Sequence, residues 1–206
     1  MKPISILIAD DHALVRMGLA SLFASTDDII VAGQAKDGRE AVRLTGELHP
    51  DIVLMDLQMP RMDGTDATRT IKKRHPNTKV IVLTTFSTSD GLSDALEAGA
   101  EGAFMKSSDN QKLIDGIRKV ASGSRAISSE VQHQLAMDPP LPKLSPRQTE
   151  IVAALTKGLA NKEIADSLGL SIPRVEELIR TILSKLHAAN RTEIVAIALR
   201  KHLLKI

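Results

Sequence analysis

The sequence predicts two domains: a doubly wound α/β domain on a five-stranded parallel sheet, then an all-α domain of four helices. Three observations carry this. Over the first 122 residues, five short apolar runs alternate with five stretches of helical spacing. A proline cluster, Asp138-Pro139-Pro140-Leu141-Pro142, then interrupts the chain. From Leu144 onward no strand pattern appears. Runs that are apolar throughout, rather than alternating, suit strands covered on both faces, as in a parallel sheet. Repeated strand–helix units imply right-handed crossovers and a doubly wound sheet.

The strand candidates are 4–9 (ISILIA), 29–32 (IIVA), 52–55 (IVLM), 79–83 (KVIVL) and 102–105 (GAFM). The helical stretches between them are marked by Leu14, Met17, Gly18 and Leu22; by Ala41, Leu44 and Leu48; by Ala67 and Ile71; by Leu92, Ala95 and Leu96; and by Leu113, Ile117 and Val120. Gly123 and Ser124 stop the fifth. Residues 123–142 form the expected linker, with a short connecting helix over 128–136. The prolines close that linker, because proline lacks an amide donor and restricts the residue before it.

The second domain, 143–206, opens on a capping-box pattern. Ser145 is followed three residues later by Gln148, with Pro146 at the favoured first helical position. This helix is expected to run to about Lys157 and stop at Gly158. Asn161 is expected to cap 162–168, which Gly169 ends. Ser171 then caps 172–186, and Thr192 a fourth helix to about residue 203. Four helices in this span, with a tight Gly turn between the second and third, predict a helix-turn-helix.

Composition narrows the function. The 206 residues contain no Cys, Trp or Tyr and three Phe. A disulfide framework, a thiolate metal site and a cysteine nucleophile are excluded. With so few aromatics, a surface that stacks on single-stranded bases is not expected. No apolar run approaches the ~18 residues of a membrane span, and the first residues lack a signal-peptide pattern. A cytoplasmic protein without membrane contact is the expectation. The 27 basic and 25 acidic residues give a net charge of +2, but that total hides a division. Residues 1–142 hold 16 basic and 19 acidic side chains, net −3; residues 143–206 hold 11 and 6, net +5. A basic helical domain beside an acidic α/β domain points to nucleic acid as partner of the former.

The strand ends carry the chemistry. Strand one ends in Asp10 and Asp11, strand three in Asp56, strand four in Thr84 and strand five in Lys106. In a doubly wound sheet these share one rim, where ligands bind. Crowded carboxylates repel unless a cation joins them, and carboxylate oxygens with water suit Mg²⁺. Lys106 supplies a compact positive charge and Thr84 a hydroxyl donor, both suited to a phosphoryl group. An aspartate carboxylate can act as nucleophile toward phosphorus. A lone aspartate at a strand end is ordinarily a cap or a solvated loop residue; five matching strand ends are not.

On these residues, and above all on DIVLMDLQMPRMDG, residues 4–122 resemble the flavodoxin-like receiver domain of bacterial two-component response regulators. The resemblance implies that Asp56 is the phosphoacceptor. It implies that Asp10 and Asp11 bind Mg²⁺ together with Asp56 and the Gln58 backbone carbonyl. Thr84 matches the switch hydroxyl and Lys106 the phosphate-sensing lysine. The implied partner is a sensor histidine kinase. No enzymatic activity is expected beyond phosphoryl transfer to Asp56 and its slow loss. The family usually carries an aromatic three residues before the lysine; here that residue is Ala103, followed by Phe104 on the opposite face of the strand. Ser107 and Ser108 stand where many receivers have proline after the lysine.

Residues 144–206, through GLANKEIADSLGLS, KL and NRTE, resemble the LuxR/FixJ-type DNA-binding domain of NarL-like regulators. The resemblance implies that 172–186 is the recognition helix and that double-stranded DNA is bound by a dimer on paired half-sites. Lys162, Arg180, Lys185 and Arg191 are the expected phosphate contacts, and Arg174 is a candidate for guanine or phosphate. Glu176 stands where the family commonly has lysine, and Leu178 where it has histidine. Glu176 and Glu177 are unfavourable near phosphates, yet either can accept from a cytosine amino group. These acids motivate an alternative, a phosphorylation-regulated interaction protein with a degenerate helix-turn-helix. A haloacid-type phosphatase on the same rim is a third reading.

Overall fold

Each apolar run of the first domain becomes a strand, and the strands lie parallel. The computed structural model describes residues 2–85, 89–201 and 203. Its strands are β1 (Ile4–Ala9), β2 (Ile29–Ala35), β3 (Ile52–Asp56), β4 (Lys79–Thr84), β5 (Gly102–Met105) and β6 (Ala126–Ile127). They form one sheet in the order β2-β1-β3-β4-β5-β6. The order reverses between β1 and β3, so a crevice opens where the chain leaves those two strands.

Helices α1 (Ala13–Ala24), α2 (Gly38–Leu48), α3 (Gly64–Arg74), α4 (Ser89–Glu97) and α5 (Asn110–Ala121) connect the strands. Successive side chains on each strand alternate between faces, and both faces are covered. Ile6, Ile8, Leu54, Ile81 and Phe104 meet Phe23 of α1 and Ile117 of α5 on one face. Leu7, Val53 and Met55 meet Ala41 of α2 and Ile71 of α3 on the other. Ala103 shares that second face with Leu92 and Ala95 of α4.

One expectation needs correction. The sheet has six strands, not five. Ala126 and Ile127 carry no strand pattern, but Ala126 N–H donates to the Glu101 carbonyl at 3.0 Å and Ser128 N–H to the Ala103 carbonyl at 2.9 Å. Helix α6 (Ser129–Met137) follows, with Val131 fully buried beside Ala103. Much of the expected linker is therefore part of the first compact unit, Met1–Pro139; the second is Pro140–Ile206. The apolar residues that mark α1 do not all face the core. Leu14 and Met17 are exposed, while Phe23 is buried and Leu19 and Leu22 pack partly against the core.

The second unit contains α7 (Pro146–Thr156), α8 (Asn161–Leu168), α9 (Ile172–Leu186) and α10 (Arg191–Arg200). Their apolar faces meet in a core that includes Ile151, Ile164, Val175, Ile182 and Ile194. Ser145 and Gln148 form the expected capping box. Gly169, at φ 64°, ends α8 in the left-handed conformation, which glycine adopts without steric cost. Ser171 is the N-cap of α9 as expected, without a side-chain cap bond, whereas the caps of α8 and α10 move by one and two residues. Ala160 is the N-cap of α8, its N–H donating to Glu163 at 2.6 Å. Asn190, not Thr192, caps α10 by accepting from Glu193 N–H at 3.0 Å. α10 ends at Arg200, short of the end expected near residue 203; positions 202 and 204–206 lie outside the described residues. Among the described residues no helix is long and apolar enough to cross a membrane.

Candidate functional site

The sheet delivers its polar strand ends to the crevice at the β1–β3 reversal. Asp10 follows β1 and Asp56 ends β3; both are nearly buried. The Lys106 ammonium, following β5, reaches across to Asp10 at 2.6 Å and Asp56 at 3.0 Å. Lys106 N–H donates to the Thr84 carbonyl at 2.6 Å, fixing the end of β5 against β4. The Gln58 backbone N–H faces the Asp56 carboxylate and favours its charged form. Gly64, the first residue of α3, lies against the same strand end. A Cβ there would stand 2.0 Å from the Asp56 carbonyl oxygen.

Burial sets the electrostatics. It pushes the Asp56 carboxyl above the usual carboxylate range, against the pull of Lys106. Burial alone would depress the Lys106 ammonium; its bonds to Asp10 and Asp56 outweigh that and raise it. Two carboxylates and one ammonium thus share a space from which water is largely excluded, and charge there is stabilised mainly by neighbouring charge.

Asp10, Asp11, His12 and Asp56 offer donor atoms within 4.8 Å of one another. Three of the four donors are carboxylate oxygens, the ligand type that suits Mg²⁺ rather than a soft metal. Two rim residues escaped the sequence reading. His12 Nδ1 lies 2.7 Å from Asp11, and His12 N–H donates to Asp10 at 2.8 Å. Arg16 donates to the Asp10 carbonyl at 2.7 Å. The available signal was position: His12 follows the acidic pair directly, and Arg16 lies one helical turn further on.

In the second unit the expected DNA-contact residues fall into two groups. Lys162, Arg174, Glu176, Glu177 and Arg180 are exposed. Arg174 pairs with Glu177 across one turn at 2.6 Å. Arg191, also exposed, and half-buried Lys185 bond acceptors within their own unit. Lys185 donates to the Lys143 carbonyl at 3.0 Å and to Gln148 at 3.1 Å, and Arg191 donates to the Leu159 carbonyl at 2.7 Å. The support helix α8, the Gly169 turn and α9 form the helix-turn-helix, with Val175 and Leu178 buried beneath α9.

An acidic rim at the switch point of a parallel sheet, followed by a helix-turn-helix, defines a two-domain signalling regulator. Residues 6–118 match the response regulator receiver domain family. Residues 142–198 match the luxR family of bacterial regulatory proteins. The chain belongs to the LuxR-type response regulators, with a receiver domain and a LuxR-type helix-turn-helix DNA-binding domain. It is 39% identical to the transcriptional regulatory protein LiaR of Bacillus subtilis, over 97% of this chain and 99% of that protein. It is 35% identical to the response regulator protein VraR of Staphylococcus aureus, over 98% and 99%. Among solved structures it resembles ChrA, the response regulator of a heme-sensing two-component system, at 34% identity and a TM-score of 0.61 over 99% of this chain and 100% of that one.

Proposed function

We propose that Asp56 accepts a phosphoryl group from a sensor histidine kinase, and that phosphorylation controls sequence-specific binding of double-stranded DNA by a homodimer in the cytoplasm. The observation that carries this reading is the Lys106 ammonium bridging the buried Asp10 and Asp56 carboxylates. An Asp56 oxygen attacks phosphorus of the donor phosphoimidazole. The P–O bond forms as the P–N bond breaks, and the imidazole leaves and takes up a proton. Lys106 neutralises charge on the phosphoryl oxygens, and Thr84 offers its hydroxyl to one of them. Asp10, Asp11, Asp56 and the Gln58 carbonyl would hold Mg²⁺, which neutralises phosphoryl charge when bound.

The ring that receivers usually turn inward has no counterpart at Ala103. That residue is fully buried under α4 and α6. Phe104 points to the opposite face, where its ring fills the space left by Gly116 of α5. The phosphorylation signal therefore travels in this chain without an aromatic at residue 103.

Labelling with a radioactive acyl phosphate tests the acceptor. A base-labile phosphate is expected on the wild type and none on Asp56→Asn; undiminished labelling of that variant refutes the assignment. Exposed Glu176 and Glu177 favour a second reading, in which the helix-turn-helix binds DNA weakly or not at all. Gel shifts on genomic fragments at low and moderate salt separate the two. Salt-dependent retardation supports DNA control, and its absence with phosphorylated protein supports the interaction role.

A further inference from the structure

Between Asp56 and α3 runs a connection, residues 57–63, that contains the most unusual backbone near the rim. Met62 N–H donates to the Pro60 carbonyl at 2.8 Å. That bond skips a single residue and makes Arg61 the centre of a γ-turn. Arg61 has φ 66°. The positive-φ form of this turn is strained, and residues with a Cβ seldom adopt it. Glycine would take the conformation without penalty, yet the chain places an arginine there. Strain retained beside a reactive group points to a side chain with a task.

The side chain reaches α2. Arg61 forms an ion pair with Asp37, whose side chain is only 5% exposed. Asp37 is the N-cap of α2 and also accepts from Glu40 N–H at 2.9 Å. The next residue, Gly38, donates its N–H to the Met62 carbonyl at 3.2 Å. A Cβ on Gly38 would stand 2.5 Å from that same oxygen. An ion pair, a main-chain bond and a bare glycine thus fasten the tip of the connection to α2. Its far end is fastened by Gly64 N–H donating to the Leu57 carbonyl at 3.0 Å. Gln58 lies between the two fastenings.

We propose that Arg61 is a positioning residue for the phosphorylation site: its pair with Asp37 holds the 57–63 connection in the strained turn that presents Gln58 to the Asp10–Asp11–Asp56 cluster. The inference rests on the reading of that cluster given under Proposed function. Without the pair the turn relaxes and the Gln58 carbonyl loses its fixed place, so the cluster holds Mg²⁺ less well while the sheet and helices remain.

The test uses the full chain with Arg61→Gln, Arg61→Lys, Asp37→Asn and the Arg61→Gln/Asp37→Asn double variant. Asparagine still caps a helix, so Asp37→Asn removes the charge and keeps α2. Magnesium chloride is titrated calorimetrically, and Asp56 is labelled with a small acyl phosphate at saturating Mg²⁺. Arg61→Gln and Asp37→Asn are each expected to raise the half-saturating Mg²⁺ concentration about tenfold, the scale of an outer-sphere partner. The double variant should do no more than either alone, because both remove one pair. Arg61→Lys should restore most of the affinity, and labelling at saturating Mg²⁺ should stay near the wild-type level. Unchanged half-saturation in Arg61→Gln overturns the proposal. So does a double variant in which the effects add, or a fall in labelling that tracks a lower unfolding midpoint. A wild type that neither binds Mg²⁺ nor accepts label overturns the reading of the cluster. Strong wild-type binding with indifferent Arg61 variants overturns the role of Arg61 alone.

Discussion

The two units handle charge in opposite ways. The first buries Asp10 and Asp56 and ties both to the half-buried Lys106 within 3.0 Å. The second keeps Arg174, Glu176, Glu177 and Arg180 exposed on α9. Charges removed from water need fixed partners, so the rim is organised before any ligand arrives. Charges left in water cost little and remain free to meet a polyanion. The contrast separates a site for chemistry from a surface for recognition, and each half of it can be broken by substitution.

The largest effect is expected at Lys106. Lys106→Met leaves two buried carboxylates facing each other, which should lower the stability of the first unit by about 3 kcal/mol in Mg²⁺-free buffer. Adding Mg²⁺ should recover part of the loss, because a ligand that binds only the folded state stabilises it. Chemical denaturation with chelator and with magnesium chloride measures both. A neutral result would erase the contrast between the two units.

Next come the two residues of the missing ring. Ala103→Tyr should cost about 1–3 kcal/mol, because the site beneath α4 and α6 is already filled. Gly116→Ala should cost a similar amount, since its Cβ would meet the Phe104 ring at 2.1 Å. Urea unfolding of the two variants decides. A stabilised Ala103→Tyr would mean that room for an inward ring exists after all.

The third expectation sharpens the recognition half. Arg180→Ala should reduce the dependence of log affinity on log salt by about 0.9, the value for one phosphate contact, and leave stability unchanged. Arg191→Ala should instead destabilise the second unit by about 1 kcal/mol through its lost bond to the Leu159 carbonyl. DNA titrations at several salt concentrations, paired with thermal unfolding, separate the two arginines. If both act on the salt slope alone, the division between anchored and free cations fails.

The smallest effect lies at an exposed pair. Arg118 binds Asp28 at 2.7 and 2.9 Å, and its hydrogen bonds hold the Asp28 carboxyl below its ordinary value of 3.8. A depressed carboxyl contributes stability that is present above its unfolded pKa and is lost as pH falls through the folded one. Arg118→Ala should therefore lower stability slightly at neutral pH, and its difference from the wild type should shrink and vanish as pH falls below about 4. Unfolding midpoints between pH 2 and 7 record this.

How much was legible follows from what each residue needs. Asp10, Asp11, Asp56, Thr84 and Lys106 could be picked out because strand ends are marked by the end of an apolar run, and the period of the fold brings them to one rim. β6 could not, because two residues become a strand only when an edge accepts their amides. The exposure of Leu14 and Met17 was not legible in their helical spacing, because a helix with apolar residues on more than one side does not reveal which side the sheet will cover. That Lys185 and Arg191 bond backbone carbonyls within their own unit was not legible, because a basic side chain carries no mark of which acceptor it will meet in the fold.

By itself the sequence determined the parallel sheet, the helix-turn-helix, the division of charge and the acidic rim. All of these arise from local periodicity, caps and strand ends, which neighbouring residues encode. The tertiary structure alone decided that His12 and Arg16 join the rim, that Phe104 and Gly116 share one volume, and that Arg61 is bound to Asp37 from 24 residues away. Those contacts join segments distant in the chain, and their geometry exists only once the sheet has set its strand order.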